Sequence, residues 1–306
     1  MIRLMHTHGR SGGTLTNRLL GSMPDVVMMS EVMPYEPNAK GGGNDVRLVY
    51  GQAKRYYNIT LKNREYIPSI LELEDICERS GRHLVVREWT TMLYLRRYMW
   101  VRKWVNKKSR KTKNPGLYTL DHLPKHHVRP FAMVRESIDV YKSRVLLPGV
   151  HPLEKNLSYF SDWYLRYAQD VAASNMLIYY YESLCRDPIP YVKNMCRDLE
   201  LPFSEKAVKT FYEYKNVLGS KLKSTQRDDI TSIQQSRKRT YPYNQERLLR
   251  RNAQLRKSDK LLGVRREPFL LFIMRFLKDF RQGKISHEAT EHLMGTDRLA
   301  SQQGAP

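Results

Sequence analysis

The chain has 306 residues, enough for one large or two small domains, and its 41% hydrophobic content fits a globular protein better than a disordered or membrane-spanning one. Its 53 Lys and Arg residues against 31 Asp and Glu residues give a formal net charge of +22 at pH 7. A positive charge of this size indicates a polyanionic binding partner: a nucleic acid, an acidic lipid, or a charged nucleotide with an acidic acceptor.

The predicted elements alternate along the first two-thirds of the chain, where short β-rich apolar runs are separated by helical patterns. Strands are predicted at residues 2–6, 26–29, 83–87, 130–134 and 176–180. Helices are predicted at residues 14–22, 67–79, 90–105, 137–147, 159–174 and 190–199, and a mobile loop at 37–51. This alternation is typical of βαβ units and a parallel sheet.

Beyond Gly219 the pattern becomes polar and basic, followed by a charged helix at residues 244–262. We therefore predict an α/β fold: a P-loop-like three-layer domain with a central parallel sheet flanked by helices, plus a helical C-terminal extension. The predicted ranges are 1–243 for the domain, 244–281 for the extension and 282–306 for a flexible tail.

The cysteines and the apolar runs bear on the compartment. Cys77, Cys185 and Cys196 form no CxxC pair, and so sparse a set predicts a reducing compartment without a disulfide framework. The sequence shows no secretory leader and no stretch of roughly twenty apolar residues that would span a bilayer. We expect a cytoplasmic protein, with the apolar run in residues 268–280 as the surface for any peripheral membrane contact.

A glycine-rich turn at residues 8–15 (HGRSGGTL) connects the first predicted strand to the first predicted helix. Its glycines let backbone amides point at an anion, and the helix beginning near Thr14 adds the positive end of its dipole. Arg10 supplies a formal charge, and Ser11 and Thr14 supply hydroxyl donors. We predict a phosphate site here, with a ligand-free strand-to-helix turn as the alternative.

The turn matches neither GxxxxGK[ST] nor GxGxxG. Residues 9–15 instead resemble the 5′-phosphosulfate loop of the sulfotransferase family, commonly written (P/G)-(K/R)-S-G-(T/S/G)-T-(L/W). The similarity continues to Glu31 and is greatest to protein-tyrosine sulfotransferases. It implies the donor 3′-phosphoadenosine 5′-phosphosulfate, Glu31 as catalytic base and Arg10 at the bridging oxygen. The implied contacts to the 5′-phosphosulfate end are Arg10, Ser11, Gly12, Gly13, Thr14 and Leu15.

A second motif of the family, for the 3′-phosphate, is a strand ending in Arg with a Ser eight residues later. Arg135 ends a predicted strand here, and Ser143 follows at that distance. Arg offers a bidentate fork to phosphate and Ser a hydroxyl donor. The resemblance further implies Tyr181 near the adenine and, more loosely, Arg237 and Lys238 on a basic loop over the 3′-phosphate.

Several alternatives stay open at this level. Small-molecule sulfotransferases use a histidine base, so His6, His8 and His83 rival Glu31. The histidines clustered at residues 122–127 could suggest a metal site, although the family needs no metal.

Two other functions stay open. One is a P-loop nucleotide kinase that uses ATP and magnesium, but the lysine of the kinase motif is absent from this turn. The other is a basic nucleic-acid-binding protein, but the sequence contains no known nucleic-acid-binding module. The expected acceptor group is a hydroxyl or an amine, carried by a glycan, an acidic peptide or a small molecule.

Overall fold

The structure is a computed structural model that describes residues 1–33, 47–94, 115–146, 152–217, 233, 243–266 and 274. The chain forms two compact units. The first consists of Met1–Arg135 and Arg166–Ser236, and the second of Glu136–Leu165 and Arg237–Pro306. The division predicted at residue 243 stays a prediction.

A five-stranded parallel sheet forms the centre of the first unit, in the order β2-β3-β1-β4-β5. The strands are β1 (Ile2–Met5), β2 (Val26–Val32), β3 (His83–Glu88), β4 (Val128–Val134) and β5 (Leu177–Tyr180). Runs such as IRLM and VVMM are almost continuously apolar and buried, as strands covered on both faces require. The predicted α/β fold with a central parallel sheet is therefore confirmed.

Thirteen α-helices occur in the described residues. In chain order they are α1 (Gly13–Gly21), α2 (Val49–Tyr57), α3 (Tyr66–Arg79), α4 (Thr90–Tyr94), α5 (Tyr118–His122), α6 (Ser137–Val145), α7 (Pro152–Lys155), α8 (Leu157–Ala173), α9 (Tyr181–Arg186), α10 (Pro188–Asp198), α11 (Glu205–Lys209), α12 (Tyr243–Arg251) and α13 (Ala253–Leu261). Within the described ranges no helix is both long and apolar enough to cross a membrane.

Among the elements that differ from the sequence prediction are β2, α2 and the charged C-terminal helix. Strand β2 continues three residues beyond its predicted end, so Glu31 lies inside the strand rather than after it. Helix α2 begins within the stretch predicted as a loop, because Gln52 and Ala53 pack into the fold despite a polar local pattern. The single charged helix predicted at residues 244–262 is two helices, since the Asn252 side chain accepts the Leu255 N–H and caps α13.

The core of the first unit lies between the sheet and helices α1 and α10. Leu19 and Leu20 of α1 and Met195 of α10 are buried in one apolar cluster with Phe131 of β4. Burial of these side chains stabilises the unit by about 1.5–3 kcal/mol each. The cluster fixes α1 against the sheet, and the residues that precede α1 are held in place with it.

In the second unit the C-terminal helices hold α6 through buried charges. The Asp259 carboxylate of α13 accepts the Ser137 N–H at 2.9 Å and its hydroxyl at 2.7 Å, and Arg266 donates to the same carboxylate at 2.6 Å. Burial raises the pKa of Asp259, while Arg266 and Ser137 act against that rise. Lys142 forms a buried ion pair with Glu246 of α12. Helix α6, which carries Ser143, is therefore anchored at its start and near its middle.

Candidate active site

The predicted phosphate turn follows β1, which lies between β3 and β4 in the sheet. Its position at the carboxyl edge of a central strand is where open α/β sheets bind ligands. Arg10 and Gly12 have φ angles of 81° and 89°, and the Ser11 N–H donates to the His8 carbonyl at 3.2 Å. These left-handed residues curl the backbone around the start of α1, as a phosphate cradle requires.

The donors inside this turn fit an anion. The first amides of α1, beginning at Gly13, have no intrahelical acceptor, and no side chain caps the helix. The Ser11 hydroxyl is completely buried and has no hydrogen-bond partner in the structure. Buried hydroxyls are normally paired. The chemistry of this donor set therefore matches a phosphate or a phosphate-like group.

Arg87, at the end of β3, is the residue that the sequence interpretation missed. A Cβ atom on Gly13 would lie 2.9 Å from its Nη2 atom, so the guanidinium packs directly against the turn. The same Nη2 donates to Glu31 Oε1 at 2.6 Å, and the side chain is 5% exposed. Its Nε and Nη1 atoms are buried without partners. A signal existed in the sequence, because Arg87 is the last residue of the strand predicted at residues 83–87 and Arg135 directly follows the strand predicted at residues 130–134.

Glu31 sits at an irregularity of β2. Met29 pairs with Val86 and Val32 with Glu88, so two β2 residues oppose Arg87 alone. Glu31 adopts a left-handed φ of 51°, which is uncommon outside glycine and asparagine. This is a β-bulge, a feature that re-aims a side chain at the edge of a sheet. It brings the carboxylate to Arg87 and hence to the phosphate turn.

Arg135 and Tyr181 also lie at the turn. The Arg135 guanidinium carbon is 4.6 Å from the centre of the Tyr181 ring, and its Nη1 donates to the Arg10 carbonyl at 3.4 Å. A Cβ atom on Gly12 would lie 2.5 Å from the Tyr181 ring, so only glycine fits beneath it. Ser143 belongs to the second unit, and its pairing with Arg135 stays a prediction. Arg237 and Lys238 lie outside the described residues.

The rival histidines are placed differently. His6 is buried, its Nδ1 contacts the Glu88 carboxylate, and its Nε2 lies 3.3 Å from the Tyr94 hydroxyl. His8 is fully buried. His83 begins β3, four residues before Arg87 and thus about 13 Å from it at the rise of a strand. Burial lowers the pKa of His83. Glu31, by contrast, is 20% exposed and accepts a hydrogen bond from Arg87, which packs against the turn.

The histidines near residues 122–127 were considered as metal ligands. His122 stacks on Tyr118 with ring centroids 4.2 Å apart, and His127 lies 3.9 Å from the Glu74 carboxylate. Among the described residues, no three His, Cys, Asp or Glu side chains are grouped so as to hold a metal ion.

Comparison with known proteins bears on the fold. No protein-family model matches the sequence, and no curated protein matches it. Among solved structures, the sulfotransferase domain from the curacin biosynthetic pathway aligns with a TM-score of 0.52 at 14% identity, over 87% of this chain and 98% of that one. The sulfotransferase domain of the Synechococcus PCC 7002 olefin synthase aligns with a TM-score of 0.45 at 17% identity, over 71% and 78%.

The sheet order and the turn after β1 define an α/β protein with a candidate anion site at the carboxyl edge of its central strands. The curacin-pathway sulfotransferase domain has a similar architecture over 87% of this chain. The chain has the fold of a sulfotransferase domain.

Proposed function

We propose that this chain is a sulfotransferase that transfers a sulfuryl group from 3′-phosphoadenosine 5′-phosphosulfate to a hydroxyl or amine of its acceptor. The observation that carries the proposal is the contact between Arg87, Gly13 and Glu31. One guanidinium touches both the phosphate turn and a carboxylate, 2.6 Å from the latter. This contact supports the proposal, because it would bring an anionic donor bound at the turn and a proton-accepting group to the same place.

The residues present fit the two charged ends of this donor. The orphaned Ser11 hydroxyl and the first amides of α1 would hold the 5′-phosphate and sulfate, together with Arg10. Arg135 would hold the 3′-phosphate, which sets this donor apart from ATP. Tyr181, packed on Gly12, would lie next to the nucleotide. The bound donor supplies an activated sulfuryl group.

The residues of the turn would then perform three tasks. Glu31 would accept the proton of the acceptor hydroxyl as the new S–O bond forms, which general bases accelerate by about 10²–10⁴-fold. Arg87 and Arg10 would stabilise the negative charge that develops on the phosphate oxygen when the old S–O bond breaks. Arg87 would also orient the Glu31 carboxylate through their hydrogen bond.

The acceptor is proposed only by chemical class. The net charge of +22 favours an acidic acceptor such as an anionic glycan or peptide over a cationic one. A screen of such acceptors with radiolabelled sulfuryl donor would identify it.

A thermal shift panel tests the proposed function without knowledge of the acceptor. We expect 3′,5′-adenosine bisphosphate to raise the melting temperature at concentrations above its Kd. ATP with magnesium and a single-stranded oligonucleotide serve as the comparison ligands. Stabilisation by ATP with magnesium but not by the bisphosphate would refute the proposal, and stabilisation by the oligonucleotide alone would favour a nucleic-acid-binding protein.

Replacing Arg135 tests the second anion site. Arg135→Gln is expected to weaken binding of 3′,5′-adenosine bisphosphate by roughly 10- to 100-fold, because a charge-assisted hydrogen bond contributes about 1.5–3 kcal/mol. Binding of 5′-AMP, which lacks the 3′-phosphate, should change far less. Isothermal titration of both nucleotides measures the difference.

The matched control for Arg135 comes from the same strand. Arg129 lies at the other end of β4 and pairs with Glu200 at 2.6 Å. Arg129→Gln should leave the affinity for both nucleotides unchanged. Equal losses for the two nucleotides in Arg135→Gln would show that Arg135 only shapes the turn through its contacts with Tyr181 and Arg10.

A further inference from the structure

In the described part of the first unit, side chains cover the outer edge of β2. Strand β2 is the first of the sheet, and its inner edge pairs with β3. An edge of this kind exposes unpaired N–H and C=O groups. Helix α2 runs along it within the described part of the first unit, and two of its side chains bond to the β2 backbone.

Gln52 makes the contact nearest to the bulge. Its Oε1 accepts the Ser30 N–H at 2.8 Å, and its Nε2 donates to the Ser30 carbonyl at 2.7 Å. The carboxamide therefore bonds Ser30 as a residue of a neighbouring strand would. The Gln52 side chain is completely buried, so water does not compete for these hydrogen bonds.

Tyr57 makes a comparable contact two residues earlier along β2. Its hydroxyl accepts the Met28 N–H at 2.8 Å and donates to the Met28 carbonyl at 3.1 Å. It also lies 2.7 Å from the Tyr214 hydroxyl. The two contacts satisfy the same kind of backbone groups on the same edge, but only that of Gln52 adjoins Glu31.

The bulge needs such support. A residue other than glycine in the left-handed region persists where the surrounding structure fixes it. Gln52 fixes Ser30 immediately before Glu31, and the Met33 N–H donates to the Arg47 carbonyl at 3.1 Å just beyond it. Glu31 is thus held between two anchored residues, and its carboxylate is directed at Arg87.

We propose that Gln52 is a positioning residue for Glu31: its two hydrogen bonds to Ser30 set the bulge that aims the carboxylate at the reacting centre. This inference rests on the proposed function, in which Glu31 accepts the proton of the acceptor. A base displaced by about 1 Å can lose on the order of 10²-fold in rate. Loss of the Gln52 hydrogen bonds should therefore lower kcat and leave the affinity for the donor nearly unchanged.

The first experiment compares Gln52→Met with Tyr57→Phe in the full chain. Methionine keeps the length of Gln52 but makes neither hydrogen bond, and Tyr57→Phe removes the matched contact at Met28. We expect Gln52→Met to lower kcat by about 10- to 100-fold with the donor KM nearly unchanged. Tyr57→Phe should lower the melting temperature about as much as Gln52→Met does, because each variant removes hydrogen bonds to one β2 residue. Its kcat should stay close to that of the wild type. Equal kcat losses in the two variants would overturn the inference.

A double-mutant cycle tests whether Gln52 acts through Glu31. In the Glu31→Gln background, Gln52→Met should cause little further loss of the residual rate, because the group it positions is already inactive. A full additional 10- to 100-fold loss would contradict the positioning role. A wild-type protein that transfers no sulfate with any acceptor would overturn the proposed function itself, whereas normal wild-type turnover with additive losses would overturn the positioning role alone.

Gln52→Glu provides a rescue that depends on pH. A protonated carboxyl can accept the Ser30 N–H and donate to the Ser30 carbonyl as the amide does, whereas the ionised form loses its donor and faces that carbonyl. Burial favours the neutral form, so the introduced carboxyl should titrate above the usual range of glutamate. The ratio of variant to wild-type kcat should approach one at low pH and fall as pH rises. A ratio that stays constant with pH would contradict the inference.

Discussion

Glu31→Gln is expected to abolish sulfuryl transfer while nucleotide binding persists. Glutamine keeps the size of the side chain and can still bond Arg87, but it cannot accept the proton of an acceptor hydroxyl. The loss in kcat should be about 10²–10⁴-fold, the contribution typical of a general base. Transfer from radiolabelled donor measures the rate, and calorimetry with 3′,5′-adenosine bisphosphate should give a Kd close to that of the wild type.

Glu200→Gln is a matched control for Glu31→Gln. Glu200 has the same left-handed φ of 51° and also pairs with an arginine, Arg129, but it follows α10 rather than adjoining the turn. This variant should retain full turnover. If Glu31→Gln turned over as fast as Glu200→Gln, Glu31 would not be the base, and His8, the histidine of the turn itself, would be the next residue to test.

The strands and the phosphate turn were predictable because their signals are local. Four apolar residues in a row, as in VVMM, indicate a strand buried on both faces wherever the chain later takes it. The combination of Arg10, Ser11 and paired glycines between a strand and a helix likewise predicts an anion site without knowledge of its neighbours. The positions of β1 and α1 agree with these predictions to within one or two residues.

The contacts around Glu31 could not be predicted because they depend on register between distant segments. The sequence does not reveal that Arg87 is opposed by two residues of β2, nor that Gln52 of α2 would bond Ser30. Helix α2 itself was missed, since its polar residues face a strand edge and not an apolar core. Tyr181 was predicted near the nucleotide, but its packing on Gly12 follows only from the fold.

The position of Arg87 predicts that its removal will also cause a large loss of transfer rate. Its guanidinium is nearly buried, contacts the turn at Gly13 and bonds Glu31, with Nε and Nη1 still available as buried donors. A preorganised donor near developing negative charge typically contributes 10²–10³-fold to kcat. Because the amides of the turn would also hold the donor in the proposed function, removal of Arg87 should affect the transfer rate more than nucleotide affinity.

Arg87→Met is therefore expected to lower kcat for sulfuryl transfer by about 10²–10³-fold. The kcat of Arg87→Lys should lie between those of Arg87→Met and the wild type. Lysine keeps the charge but lacks the planar guanidinium that can contact the turn and Glu31 together. Arg79→Met, which breaks the exposed pair with Asp75 on α3, controls for the loss of a surface cation and should be silent. Turnover of Arg87→Met within about threefold of the wild type would remove Arg87 from the reaction and reduce its contact with Glu31 to a structural ion pair.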